Sequence, residues 1–423
     1  MRESIFFSKY LYITVFVLQL LGSCKTTDYG NIVSRNFASK YNPGSKQLHL
    51  ESSIFKQSDE EIKLYYRFFP REFMYSALNK DSIPMANVSL FYKITDGYES
   101  YKVIDSLTTN FILKGAPHYH YVGYLPIKIR EKGSYVIEVS LIDNNTYQTT
   151  TTVLDYNTST GSNNDFMFLS DYGNPLFHSY FSINDKFRVR VNSGSKKVFL
   201  SYYSSVTKVP LSPDNEKKII SDIKQPDSTM VISNIDTVLF TSKKECIYYF
   251  TKEDNVIGKS FACFNRYFPY VKTSLDMLKP LEYLCDKIEM RELKSYKNPK
   301  EAVDTFWLQS ANDVDIAREL IRVYYNRVQL ANYYFSDFRE GSLTDRGMIY
   351  IVCGAPNTIK ETEEGEYWIY GKTKKDITSF VFYKEKHPLF GTIYNLYRSE
   401  IYSNMWFNAI ATWREGEVFS LDQ

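Results

Sequence analysis

Two histidines lie close enough in the sequence to suggest chemistry. His118 and His120 are separated by one residue, so in a strand their imidazole rings would share a face. Two imidazoles can begin a metal site, but a third ligand is needed and none is nearby in the sequence. We therefore expect exposed strand histidines and no metal site.

Other catalytic patterns are missing from the sequence. It has no Gly-x-Ser-x-Gly elbow, no His-Glu-x-x-His pair, no phosphate-binding loop and no Gly-x-Gly-x-x-Gly fingerprint. Cys353 would act as a nucleophile only if the fold brought His387 or another histidine beside it. Asp345 and Arg346 would serve an enzyme only if both side chains were open to a cleft. The sequence favours a protein without enzymatic activity, and it predicts no cofactor.

The start of the chain has the pattern of a lipoprotein signal peptide over residues 1–23. Arg2 and Lys9 precede an apolar stretch that runs from Leu11 to Leu21. That stretch is shorter than the ~20 apolar residues of a spanning helix. Leu21-Gly22-Ser23-Cys24 resembles the bacterial lipobox, in which the cysteine is lipidated and becomes the new N-terminus. Lys25, in place of an aspartate, favours the outer membrane. Residues 24–46 are polar and predict a tether.

Charge and length limit the class of protein. The chain has 423 residues, with 51 Lys and Arg against 49 Asp and Glu. Residues 1–23 hold two basic residues and one acidic residue, so the mature chain has 49 against 48, a net charge of +1. This balance does not suggest a nucleic-acid-binding protein. The length predicts two or three domains.

The pattern along the chain predicts a multidomain protein with two β-sandwich-like domains and an α+β C-terminal domain. Short strands separated by turn residues predict the sandwiches at residues 47–155 and 166–272. The polar residues 156–165 predict a linker between them. Residues 273–423 should hold a long amphipathic helix after Lys300 and a small antiparallel sheet, which includes a strand at Met348–Val352.

Cys246 and Cys263 lie in two β-like runs. A two-residue turn at Asp254-Asn255 would place them directly opposite each other, as a possible disulfide or as two buried thiols. Cys285 and Cys353 have no obvious partner. No Cys-x-x-Cys spacing exists, so a thiolate zinc site is not expected.

The C-terminal third resembles the GWxTD domain, a family of envelope proteins of Bacteroidota and some other bacteria. The resemblance covers roughly residues 300–400. It rests on Phe306-Trp307, the helix-like run from Tyr324 to Phe335, the segment Gly341-Ser342-Leu343-Thr344-Asp345-Arg346-Gly347 continuing to Gly354-Ala355-Pro356, and Glu366-Tyr367-Trp368-Ile369-Tyr370. The tryptophan of the naming motif is Ser342 here.

These motif residues also have a structural interpretation. Asp345 can order the turn by accepting from backbone N–H groups, and Gly347 relieves crowding before the predicted strand. Gly354 and Pro356 would end that strand, and Trp368 should pack between helix and sheet.

We expect a non-enzymatic, outer-membrane-anchored lipoprotein that acts as a binding or scaffold subunit of a secretion or outer-membrane assembly complex. Its partners would be the membrane and other outer-membrane or periplasmic proteins. A glycan- or peptidoglycan-binding lipoprotein is one alternative. A hydrolase that uses the Asp345-Arg346 region is another.

Overall fold

The computed structural model describes most of the chain. The described residues are 31–44, 48–77, 83–117, 119–158, 163–192, 197–206, 208–216, 225–252, 257–371, 377–387 and 389–421. Cys24, His118 and the Asp254-Asn255 turn lie outside them. None of the helices in these ranges is long and apolar enough to cross a bilayer.

The first β-sandwich consists of two antiparallel sheets. One sheet has the order β1 (Leu50–Lys56), β2 (Ile62–Phe68) and β5 (Tyr121–Ile127). The other has the order β4 (Val103–Lys114), β3 (Met85–Thr95), β6 (Ser134–Asp143) and β7 (Thr149–Asn157). Alternate residues of β3 and β6 point inward, because side chains along a strand alternate between the two faces. They form one core with residues from the smaller sheet, which includes Leu64, Val88, Leu90, Ile137 and Val139.

The second β-sandwich has an aromatic core. Its smaller sheet has the order β13 (Phe240–Thr241), β10 (Lys186–Val191) and β8 (Phe166–Ser170). Its larger sheet has the order β12 (Ser228–Ser233), β11 (Lys197–Ser204), β14 (Cys246–Lys252), β15 (Lys259–Phe264) and β9 (Tyr180–Ser182). Phe168, Phe187, Phe250 and Phe261 fill the space between the sheets.

The predicted register of the cysteine hairpin is confirmed, since Cys246 pairs directly with Cys263. Both are buried free thiols in this structure. The disulfide between them stays a prediction.

The C-terminal part combines helices with an antiparallel sheet, as predicted. The helices are α1 (Ser274–Leu278), α2 (Lys287–Ser295), α3 (Pro299–Ala311), α4 (Val314–Phe335), α5 (Asp345–Cys353) and α6 (Ser403–Arg414). The sheet has the order β16 (Thr358–Glu361), β17 (Gly365–Tyr370), β18 (Thr378–His387) and β19 (Gly391–Leu396). The amphipathic segment after Lys300 divides into α3 and α4 at Asn312, whose φ of 53° ends α3.

The strand predicted at Met348–Val352 is wrong, because these residues belong to helix α5. The Thr344 hydroxyl accepts from the Gly347 N–H at 3.1 Å and caps the helix. All five residues are buried, and a short run that is apolar on every side fits a strand and a helix equally well. Gly354, with a φ of 87°, therefore ends a helix and not a strand.

Residues 24–46 were predicted to be a tether, but residues 31–44 pack against the C-terminal domain. Ile32, Phe37 and Tyr41 are buried in the core of the C-terminal domain. The Phe37 N–H donates to the Ile359 carbonyl at 2.9 Å. Most residues of this segment are polar and its apolar residues are few, so its composition gave no sign of packing.

Candidate functional site

The segment from Gly341 to Gly347 lies where helix α5 meets helix α4. A Cβ atom on Gly341 would lie 2.0 Å from the Ala331 carbonyl oxygen of α4, and one on Gly347 would lie 1.9 Å from the Gly341 oxygen. Real Cβ atoms do not approach this closely. The two glycines therefore let the segment pack backbone against backbone, which fixes the direction of the side chains between them.

Asp345 is buried, with 4% of its surface exposed. One carboxylate oxygen accepts from the Leu396 N–H at 2.7 Å. The Arg398 guanidinium donates to both carboxylate oxygens, at 2.6 Å and 3.1 Å. This geometry is a bidentate ion pair, so Asp345 is held by internal partners and not open to a cleft.

Arg398 was not among the residues picked out from the sequence. It lies after β19, more than 50 positions from Asp345 along the chain. Nothing in the local pattern connects the two, because their contact depends on how the sheet packs against α5. Arg398 also donates to the Leu211 carbonyl at 3.1 Å, which links the ion pair to the loop between β11 and β12.

Arg346 forms a separate network. Its guanidinium donates to Glu366 at 2.9 Å and lies over the Tyr394 ring, 3.7 Å from the centroid. Glu366 also accepts from the Trp368 indole at 2.8 Å and from the Tyr41 hydroxyl at 3.2 Å. Burial by itself would lower the pKa of Arg346, but the Glu366 carboxylate raises it above its ordinary value. The Arg346 side chain is therefore a permanent cation.

A cleft of about 390 Å³ lies beside this network, between the first sandwich, the second sandwich and the C-terminal domain. Two more ion pairs line it: Lys40 with Glu361 at 3.2 Å, and Lys384 with Asp155 at 3.1 Å. The second pair joins the C-terminal domain to the first sandwich. Aromatic rings make up much of the remaining wall, namely those of Tyr41, Tyr98, Phe177, His178, Tyr333, Tyr334 and Tyr394.

Tyrosines are the most frequent aromatic side chains in this cleft. Burial and the nearby Glu366 carboxylate raise the pKa of Tyr394 well above its ordinary value, so its hydroxyl stays protonated at neutral pH. Tyr333 is 37% exposed. The basic residues of the wall are Lys40, Arg346 and Lys384, and the acidic ones are Glu51, Asp155, Glu361 and Glu366. This near balance suits a polar ligand without large net charge and does not favour phosphate.

The motif residues Gly354, Pro356 and Trp368, and Cys353, lie outside the cleft. Gly354 and Pro356 line a different cavity of about 550 Å³, between the N-terminal segment and α4. Trp368 is fully buried between helix and sheet, as predicted for packing. Cys353 is also buried, and burial raises the pKa of its thiol to about 12. A thiol that holds its proton at neutral pH does not suit a nucleophile.

The histidines give no metal centre in the described part of the chain, where no group of three or more His, Cys, Asp or Glu side chains could hold a metal ion. His120 is exposed and packs against the Phe69 ring, with 4.4 Å between centroids. His387 lies against the Phe390 ring at 4.6 Å.

The fold and the motif define a β-rich protein with an α+β domain at its C-terminal end. Residues 246–415 match the family model of the GWxTD domain. The C-terminal part of the chain is therefore a GWxTD domain. The match starts at the first residue of β14, so it includes the cysteine hairpin of the second sandwich.

No curated protein matches the chain. Solved structures with local similarity include a β-glucuronidase of Bacteroides uniformis, with 15% identity and a TM-score of 0.18, over 40% of this chain and 16% of that one. A red sea bream transglutaminase aligns at 8% identity with a TM-score of 0.19, over 52% and 31% of the two chains. This chain thus spans about a sixth of the β-glucuronidase. Likeness this low carries no argument about function.

Proposed function

We propose that this protein is a lipid-anchored protein of the bacterial outer membrane that acts as a non-catalytic binding or scaffold subunit of a secretion or outer-membrane assembly complex. The Leu21-Gly22-Ser23-Cys24 run supports the anchor, and Lys25 favours the outer membrane. A diacylated or triacylated cysteine holds a protein stably, because two or more chains are enough for permanent membrane attachment.

One observation carries the non-catalytic role: the charged motif side chains are bound to internal partners. Asp345 is paired with Arg398, and Arg346 is paired with Glu366. The first pair also reaches the second sandwich through the Leu211 carbonyl. These side chains hold the C-terminal domain together and fix it against the second sandwich. A hydrolase based on Asp345 and Arg346 would need both groups open to substrate, and the burial of Asp345 argues against it.

We propose that the partner protein binds at the cleft. Aromatic side chains with a free polar end are enriched in protein interfaces, because one part packs while the other accepts or donates a hydrogen bond. Tyr333, which lines the cleft and is 37% exposed, has this character. The ion pairs around it hold the wall rigid, so a partner would meet a preformed surface.

Glycan or peptidoglycan binding is a second candidate, and the aromatic wall of the cleft favours it. Titration with the disaccharide of N-acetylglucosamine tests this role. Tyr333→Ala should remove the binding, whereas Tyr172→Ala should keep it, since Tyr172 is an 88% exposed turn residue away from the cleft. Equal binding by both variants, or no binding by the wild type, would reject the role of the cleft in glycan recognition.

Gentle detergent extraction tests the main proposal. The tagged wild-type protein should incorporate a labelled fatty acid, remain with the outer-membrane fraction and purify with a stoichiometric protein partner identified by mass spectrometry. Cys24→Ala should lose the label and leave the membrane. A wild-type protein that purifies alone would contradict the subunit role, and a labelled Cys24→Ala variant would contradict the anchor.

A further inference from the structure

The chain between the proposed lipid and the folded body is short. Only residues 25–30 separate Cys24 from Asn31, the first residue that the structure describes. Seven Cα–Cα steps reach at most about 25 Å when fully extended. If Cys24 carries the lipid, as the proposed function requires, Asn31 is held within that distance of the membrane surface.

The N-terminal segment is fixed to the body right after this point. Arg35 forms an ion pair with Glu138 of β6 at 2.6 Å. The backbone N–H of Phe37 donates a hydrogen bond to the Ile359 carbonyl of β16. Asn31 therefore cannot swing away from the fold without breaking these contacts. The face around Asn31 is the one that the lipid anchor would turn toward the membrane.

That face includes parts of β3 and β4 and reaches one end of the first sandwich. Asn31 lines a cavity of about 260 Å³ together with Phe91, Lys93, Tyr101 and Val103. Thr95 pairs with Val136, so the loop after β3 (residues 96–102) and the loop before β6 (residues 128–133) lie at the same end of the sheet. These two loops and Val103 form what we call the anchor-proximal end.

The anchor-proximal end carries side chains that suit a membrane interface. Tyr101 is 74% exposed and Val103 is 51% exposed. Tyrosine is enriched at the level of the lipid headgroups, because its ring is apolar and its hydroxyl is polar. The two loops carry four exposed basic residues, Lys102, Lys128, Arg130 and Lys132, against the three acidic residues Asp96, Glu99 and Glu131. Because these charges nearly balance, contact between the anchor-proximal end and the membrane would depend on the anchor and the apolar side chains more than on anionic lipid.

We propose that the anchor-proximal end rests on the membrane surface, with Tyr101 and Val103 at the level of the lipid headgroups. The opposite end of the same sheet then points away from the membrane. Tyr147 lies at that end, in the turn after β6, and is 83% exposed. It is separated from the anchor-proximal end by the length of β3 between Val88 and Thr95, about 23 Å at 3.3 Å per residue.

Tryptophan quenching by brominated lipid tests this orientation. The four native tryptophans are buried, so a tryptophan placed on the surface reports its own contact with lipid. The lipidated full-length variants Tyr101→Trp and Tyr147→Trp would be reconstituted into vesicles of phosphatidylcholine and phosphatidylglycerol, with and without brominated acyl chains. Flotation of the vesicles first shows whether each protein is anchored.

We expect both variants to float and the fluorescence of Trp at position 101 to be quenched by the brominated lipid, with no loss at position 147. The quenching at 101 should persist at high salt, because it does not depend on net charge. Equal quenching at both positions, or none at 101, in protein that floats would overturn the orientation while leaving the anchor intact. Protein that does not float would overturn both.

Discussion

The Arg398 guanidinium holds the Asp345 carboxylate with two contacts, at 2.6 Å and 3.1 Å, while it donates to the Leu211 carbonyl at 3.1 Å. One side chain thus joins the first turn of α5, the end of β19 and a loop of the second sandwich. A carboxylate with these internal partners stabilises the fold and is not open to a substrate.

Asp345→Ala should lower the free energy of unfolding by about 3–5 kcal/mol, because it leaves the largely buried Arg398 guanidinium without its counter-charge. Chemical denaturation measures this. Asp315→Ala is the matched control, since Asp315 is an exposed carboxylate in the first turn of α4 paired with Arg318, and its loss should have little effect. Equal effects from the two substitutions would contradict the structural role of Asp345.

Thr344→Ala should lower the free energy of unfolding by less, about 1 kcal/mol, because Thr344 is the N-terminal cap of α5. Its hydroxyl accepts from the Gly347 N–H and donates to the Gly341 carbonyl at 2.7 Å. Thr344→Ser keeps the hydroxyl and should retain most of the stability. A Ser variant as unstable as the Ala variant would show that the threonine methyl group, and not the cap, is responsible.

Gly347→Ala should prevent normal packing of α5, because the added Cβ would lie 1.9 Å from the Gly341 oxygen and the backbone would have to separate. We expect a large drop in melting temperature or insoluble protein. Gly97→Ala is the comparison, since an added Cβ there meets no atom within 4 Å. A Gly347→Ala protein that melts like the wild type would show that α5 and the turn are further apart than described.

His178 and His49 should affect the pH dependence of stability in opposite directions. Burial lowers the pKa of His178, so its contribution to stability is present above the ordinary histidine pKa and is lost as the pH falls through the lowered value. A hydrogen bond to Glu72 raises the pKa of His49, so its contribution is present below the ordinary pKa and is lost as the pH rises through the raised value. His178→Gln should therefore reduce the loss of stability on going from pH 7.5 to pH 5.5, and His49→Gln should increase it. Parallel pH profiles for both variants would contradict these assignments.

The sequence predicted the sandwiches and the hairpin register because strand alternation and turn residues are local signals. Cys246 and Cys263 are opposite each other for this reason. It did not predict helix α5, because Met348–Val352 is buried on all sides and has no period. It also missed Arg398 and the packing of Tyr41, since both contacts join parts of the chain that only the tertiary fold brings together.

The cleft could not be found from the sequence for the same reason. Its wall takes Asp155 from the first sandwich, His178 from the second and Arg346 from the C-terminal domain. Arg346 was singled out as part of the motif, but its ion pair with Glu366 and its position beside the cleft depend on how β17 packs against α5.

The most direct test of the binding-subunit proposal is to compare partner recovery by two tyrosine variants. Lipidated, tagged wild-type, Tyr333→Ala and Tyr172→Ala proteins would be extracted under the same gentle conditions, and the amount of co-purified partner measured by quantitative mass spectrometry. Tyr333 lines the cleft and Tyr172 does not. Tyr333 is 37% exposed and Tyr172 is 88% exposed, so both variants should fold. The account predicts a stoichiometric partner with wild type and Tyr172→Ala and its loss with Tyr333→Ala. Equal recovery with all three proteins, or no partner with wild type, would contradict it.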